Sequence, residues 1–253
     1  MEVAIKTPIS FSEIGQRSNN EDSLFPNQIF NEKSNRLFVV CDGMGGADQG
    51  EVASKIVCDG IVDIFSQNRK AKISIEFVVE ALNSIHEKMK EYLHQNPFVN
   101  RMGTTLALLK LDENDTTVVH IGDSRVYQIR KGKIIFKTND HKQVNEMVKA
   151  GVITSEQAKT HPWRNKLSKA IICQSVEKSR IATPEINFIS DIQKDDYFFL
   201  CSDGVLEGID DQILTIILNS DKENQIKVNE ILDICKNQSK DNYSGHLIQI
   251  DIT

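Results

Sequence analysis

The chain has no apolar run of 18 residues or more, so no membrane span is expected. Its first residues, MEVAIKTPIS, lack the long apolar core of a secretory signal, and a cytoplasmic protein is the expectation. It has five cysteines, an odd number with no CxxC pair, which fits reduced structural thiols rather than a disulfide framework. Cys41 and Cys201 close apolar runs, where cysteine acts as a small hydrophobe. There is no basic surplus: the net charge is −6, which argues against a nucleic-acid surface. Repeats, linkers and low-complexity segments are absent, and 253 residues suit a single domain, 1–253. His86 and His94 share a helical stretch but stand eight apart, so they do not form a metal pair and are expected to be exposed. No Cys-x5-Arg loop is present, and no Ser–His–Asp set can be assigned.

What the chain does have is acidic loops at the ends of apolar runs. Leu37–Cys41 ends in Asp42, followed by Gly43, Met44, Gly45 and Gly46. A carboxylate at a strand mouth followed by glycines gives a backbone that other groups can approach closely. Tyr197–Cys201 ends in Ser202, Asp203 and Gly204, and Val118–Ile121 in Gly122, Asp123, Ser124 and Arg125. DNYSG (Asp241–Gly245) precedes the last alternating run, and RSNNED gathers Arg17, Glu21 and Asp22 near the start. Carboxylates brought together repel one another, so a fold that gathers these five loops needs cations. All-oxygen ligands suit Mg²⁺ or Mn²⁺ rather than Zn²⁺.

Nine motifs stand in one order along nearly the whole chain: GQRSNNEDS, VVCDGMGGADQGEVAS, GTT, IGDSRVY, NDHKQV, GVIT, HPWRNKLSKAI, CSDGV and DNYS. In these the chain resembles the metal-dependent type 2C serine/threonine protein phosphatases, the PPM family. The resemblance implies an α+β fold, a four-layer αββα sandwich of two antiparallel sheets flanked by helix pairs. The metal site would lie at one end of the sheets, with a flap over about 145–190 beside it.

The pattern of the chain agrees with that fold class. Strands are expected in 2–14 (with Pro8 at an irregularity), 37–41, 104–111, 117–121, 126–130, 134–137, 196–201 and 246–252. KGK (131–133) reads as a hairpin turn. Helices are expected over 47–66, 74–95, 142–150, from Thr154 with Gln157 as a capping box, over 210–219 behind Asp210 or Asp211, and over 224–237. Residues 160–185 read as polar and irregular. Strands in blocks and helices in pairs exclude a regular βαβ barrel.

Phosphomonoesters hydrolyse very slowly unaided, and two metal ions would neutralise the phosphate and acidify a water to attack phosphorus. By resemblance, Asp42 bridges two ions, and Asp203 and Asp241 complete the first. The Gly43 carbonyl and Glu21 bind the second. Asp22 acts behind the ligands or through water. Arg17, four residues before Glu21, clamps the phosphate with its planar guanidinium. Asp123, with Asp203, would hold a third, weaker ion; otherwise it pairs with Arg125 or caps a turn. Arg125 is read as structural, paired with an acidic neighbour. His141 and His161 are read as flap anchors.

Some relatives carry His where this chain has Met44, which cannot donate a proton, so water must protonate the leaving group. Met44 also points to a bacterial source. Ser244 replaces the usual Thr and keeps the hydroxyl. The expected partners are phosphorylated proteins, including a bacterial Ser/Thr kinase, with no nucleic acid or membrane, and a monomer is expected. The alternatives are a non-catalytic pseudophosphatase scaffold, disfavoured because Asp42, Asp203 and Asp241 are all kept, and a partner-switching phosphatase, disfavoured by Arg17.

Overall fold

Two antiparallel sheets lie face to face, and each carries a pair of helices on its outer side. The computed structural model describes residues 3–27, 36–44, 49–68, 73–112, 116–175 and 181–252, with thirteen strands and seven helices among them. One sheet has the order β11 (Glu185–Ile189), β7 (Thr116–Ile121), β6 (Leu106–Leu111), β4 (Leu37–Asp42) and β3 (Asp22–Phe25). The other has the order β1 (Val3–Ile5), β13 (Tyr243–Ile252), β12 (Tyr197–Cys201), β8 (Arg125–Arg130) and β9 (Lys133–Lys137). β2 (Ile9–Glu13) joins the same edge of β13, end to end with β1. The interruption at Thr7–Pro8 falls between them, as suits a residue with no N–H for a ladder.

The strands read as apolar on both faces because both are covered. Phe38, Val40, Leu109, Val118, Phe198 and Ile248 fill the space between the sheets. The alternate residues of β4, Leu37, Val39 and Cys41, face α1 (Gly50–Gln67) and α2 (Ile75–Gln95). Across the molecule, Phe199, Cys201 and Leu247 pack against α6 (Asp211–Leu218) and α7 (Asn224–Gln238). Each fully buried Leu, Ile or Phe contributes about 1.5–3 kcal/mol, so these three cores need no cross-links. All five cysteines are free and buried.

The local signals acted as their chemistry dictates. Lys131 and Gly132 both take positive φ (49° and 69°) and turn the β8–β9 hairpin. Gly151 takes φ 70° behind α3 (Gln143–Lys149). Thr154 and Gln157 form the capping box of α4 (Ser155–Thr160). Ser74 and Asp210 cap α2 and α6. The helix expected from residue 47 is described from Gly50; residues 45–48 lie outside the described part.

Four expectations need correction. The single strand expected over 104–111 is two, β5 (Arg101–Thr104) and β6, because the chain bends at Thr105. There it bonds Asp42: Thr105 N donates to the Asp42 carbonyl and Asp42 N donates to Thr105 Oγ1. The stretch 160–185 contains β10 (Ile171–Gln174), paired with β5, and β11 begins at its end; their partners are distant in sequence, so no local pattern marked them. The last strand starts at Tyr243, where pairing to β2 begins. His94 is exposed as expected, but His86 is buried in α2, the helix that packs on β10.

Candidate metal centre

Sheet register carries the acidic loops to one end of the molecule. In one sheet, Cys201 stands opposite both Arg125 and Gly245. Two residues beyond this row lie Asp123, which precedes Arg125, and Asp203, which follows Cys201. The Asp241–Asn242 loop enters at the same edge. In the other sheet, Asp22 stands opposite Asp42, which brings Glu21 and Asp22 to the same rim. Asp203 opens a single helical turn, α5 (Asp203–Leu206), that sequence reading missed.

The loops fit together by close backbone approach. A Cβ at Gly43 would lie 2.2 Å from the Gly50 carbonyl oxygen and 2.6 Å from that of Glu21. A Cβ at Gly204 would lie 2.0 Å from the Asn242 carbonyl oxygen. Only glycine fits at either position. Asn242 ties the N-terminal loop to this end: its Oδ1 accepts from Glu21 N (2.9 Å), and its Nδ2 donates to the carbonyls of Ile14 and Asn19 (2.7 and 2.9 Å).

A cleft of about 580 Å³ results. Seven of the eight residues singled out from sequence line it: Arg17, Glu21, Asp42, Gly43, Asp123, Asp203 and Asp241. Asp22 is the exception. It lies beneath the cleft, where its carboxylate accepts from the Ser202 hydroxyl (2.8 Å) and lies beside that of Ser244. It therefore braces the end of β12 against β3, while the Ser244 hydroxyl donates to Ser12 Oγ (2.8 Å).

The electrostatics show carboxylates with too few cations. Burial, and then repulsion from Asp203, Asp22, Asp123 and Asp241, pushes the Asp42 carboxyl well above the ordinary range. Burial and the charges of Asp123 and Asp241 push Asp203 up to about 7. Burial pushes Asp22 up to about 6. Divalent cations would relieve all three, and the all-oxygen donor set, including the Gly43 carbonyl, fits Mg²⁺ or Mn²⁺.

Two cationic side chains reach the cluster. Arg17 Nη2 donates to Asp241 Oδ2 (2.6 Å), with the guanidinium half exposed at the mouth. Lys142 Nζ lies 3.1 Å from Asp123 Oδ2 and 3.4 Å from Asp140. The anticipated structural role of Arg125 takes the form of a fork onto Asp140 (2.6 and 2.8 Å); Asp123 pairs with Lys142, not with Arg125. Sequence reading missed Lys142, Asp140, Thr105 and Asn242, although each stands inside or beside a motif already quoted.

His141 joins the Asp123 loop to the segment at Ser168. Its Nδ1 accepts from Gly122 N (3.1 Å), its N–H donates to the Gly122 carbonyl, and its carbonyl accepts from Ser168 N. Among the described residues the His161 ring has local partners: its Nδ1 accepts from Trp163 N (3.1 Å), and the ring packs edge-on against that of Trp163. His141, His120 and Glu185 bring ligand-type atoms within 4.8 Å of one another, but their geometry opposes metal binding. With Nδ1 accepting, the His141 proton sits on Nε2, which faces Glu185 at 3.5 Å. The two imidazoles also stack at 4.6 Å and 25°, so their in-plane lone pairs do not converge.

Residues 11–230 match the family described as protein phosphatase 2C. The chain is 33% identical to the protein phosphatase PhpP of Streptococcus pneumoniae over 224 residues, 87% of this chain and 85% of that one. Its fold is similar to that of the serine/threonine phosphatase Stp1 from Staphylococcus aureus, with a TM-score of 0.81 and 30% identity over 100% of this chain and 98% of that one. It is also similar to the PstP catalytic domain in complex with two manganese ions, with a TM-score of 0.78 and 25% identity over 99% and 100% of the two chains.

Proposed function

The chain belongs to the protein phosphatase 2C family and is a metal-dependent protein serine/threonine phosphatase, and on that premise we propose which of its residues perform the reaction. Asp42, Asp203, Asp241, Glu21 and the Gly43 carbonyl hold two Mn²⁺ or Mg²⁺ ions. When bound, the ions neutralise the phosphate and acidify water. The observation that carries this reading is the convergence of five carboxylates, Glu21, Asp42, Asp123, Asp203 and Asp241, on one cleft that their own charge disfavours.

The protein's part is to hold these groups still. Asp42 is fixed at both backbone ends by Thr104 and Thr105, so its carboxylate is presented from a rigid strand. Arg17 binds Asp241 through one N–H, which leaves the remaining guanidinium donors to orient two phosphate oxygens. Met44 lines the cleft against Gly103 and offers no proton, so the leaving alkoxide takes its proton from water. Asp123 is a site for a third, weaker ion, with Lys142 as its present counter-charge.

The substrates are phosphorylated proteins. We take a Ser/Thr kinase to be among them, and the protein to act as a monomer in the cytoplasm. No described helix is long and apolar enough to cross a membrane.

The test is turnover of p-nitrophenyl phosphate. Mn²⁺ should activate it, and exhaustive chelation should abolish it. Asp42→Ala should lower kcat by about a thousandfold in a folded protein, equivalent to about 4 kcal/mol of transition-state stabilisation. Full activity after chelation, or near-normal turnover in folded Asp42→Ala, would overturn the assignment.

A further inference from the structure

We propose that the cleft contains, beside the metal centre, a cationic subsite of Arg101, Lys166 and Lys169 that selects phosphoproteins carrying acidic or second phosphorylated residues close to the scissile phosphoserine or phosphothreonine. The proposal rests on the phosphatase reading above and names a substrate class for that same cleft.

The three side chains come from two walls. On one wall, the paired strands β5 and β10 alternate: Met102, Ile171 and Cys173 face the core, so Arg101 and Gly103 face the opposite way, with Ile172. Met44 packs on Gly103 at this face, and Arg101 lines the cleft along with it. On the other wall, the segment bearing Lys166 and Lys169 is held by backbone bonds to the His141 region. Gln143 N donates to the Lys166 carbonyl (2.8 Å), and Ser168 N donates to the His141 carbonyl (2.7 Å). Lys142 and Leu167 form an isolated bridge between these two bonds. Lys166 Nζ stands 5.0 Å from the centre of the exposed Trp163 ring.

Charge and position together distinguish these three cations. The chain is acidic, and Arg125, Arg130, Lys137 and Lys142 are each engaged by carboxylates. Among the described residues, Arg101, Lys166 and Lys169 have no carboxylate within ion-pair distance, yet all three line the cleft. Unpaired cations gathered at a mouth create a field that selects anionic ligands.

Reach sets the spacing. Thr104 is bridged to Gly43 at the metal centre, and Arg101 lies three residues along the strand, about 10 Å at roughly 3.3 Å per residue. An extended peptide covers the same distance in about three residues. The acidic group that Arg101 meets is thus two or three residues from the scissile phosphate.

Matched phosphoserine peptides test this, with flanking residues all Ala, two Glu, or a second phosphoserine three residues away. With Mn²⁺ and about 50 mM salt, kcat/KM should be about tenfold higher for the two anionic peptides, mainly through KM, and the advantage should shrink as salt rises. In Arg101→Gln/Lys166→Gln/Lys169→Gln the ratio should fall toward one. Arg101→Gln alone, at an exposed position, should lower it part of the way. p-Nitrophenyl phosphate has no flanking residues, so it reports on the metal centre separately. Fluorescence anisotropy of the labelled peptides reads binding to the subsite whether or not turnover occurs. Equal kcat/KM and equal binding for neutral and anionic peptides, or an anionic preference unchanged in the triple variant, would overturn the subsite.

Discussion

Two acidic regions lie at the same end of the sheets, and they differ in what balances their charge. At the corner made by β8 and the 140–142 segment, burial raises the Asp140 carboxyl. The Arg125 fork and Lys142 more than offset this, so it ends below the ordinary range. Around Asp42, burial and repulsion from other carboxylates act together, and Asp42, Asp203 and Asp22 all end above it. The far end of β8 repeats the first arrangement, where Arg130 forks onto the fully buried Asp196. The chain carries its own cations where acid serves the fold. Around the cleft it leaves the charge open, and the unbalanced carboxylates cost stability there.

The largest expected effect separates the two regions directly. Arg125→Ala leaves a buried carboxylate short of its partner and should cost about 3 kcal/mol of stability, read by urea unfolding in EDTA. Asp42→Asn in the same buffer should unfold later than wild type, because a repelling charge is removed, while turnover collapses. If Asp42→Asn is the less stable protein, the Asp42 cluster is not a strained one.

The pH dependence follows from the same contrast. Asp203 has a folded pKa of about 7 against an ordinary 3.8. Between these values the folded state holds more protons than the unfolded state, so this residue makes the metal-free protein less stable as pH rises from 4 to 7. The stability gap between Asp203→Asn and wild type in EDTA should therefore widen over that window, by an amount on the order of a few kcal/mol. Saturating Mn²⁺ should reduce the pH dependence of wild type, since it replaces those protons. A gap constant with pH would contradict the raised pKa.

Asp123 sits on the boundary between the two regions. Burial raises its pKa and Lys142 opposes the rise, which makes Lys142 a competitor for any cation at this carboxylate. Asp123→Asn should lower kcat and raise the Mn²⁺ concentration needed for activity. Lys142→Met should do the reverse at the weak site, tightening Mn²⁺ there by roughly tenfold in isothermal titration. An unchanged weak site in both variants would leave Asp123 as a structural partner of Lys142. The smallest effect is expected at Arg17, which is half exposed: Arg17→Ala should raise KM by roughly tenfold, with a smaller loss in kcat. If KM and kcat are both unchanged, the guanidinium serves only its pair with Asp241.

Sequence alone marked the candidate acidic loops and most of the frame. Asp42, Asp123, Asp203 and Asp241 each follow an apolar run or precede one, and a strand end beside glycine is visible in local order. The capping box at Thr154 and the turn at Lys131–Gly132 were visible for the same reason, since each is set by residues within four positions of one another. Tertiary structure decided what depends on distant partners. It split the strand at Thr105, because Asp42 lies 63 residues away. It buried His86 under β10, turned Asp22 from the cleft to Ser202 and Ser244, and gave Asp123 to Lys142 rather than to the nearer Arg125. A side chain's residue type states which partners it can take. Only the register of the sheets, fixed by burying three cores at once, decides which partner arrives.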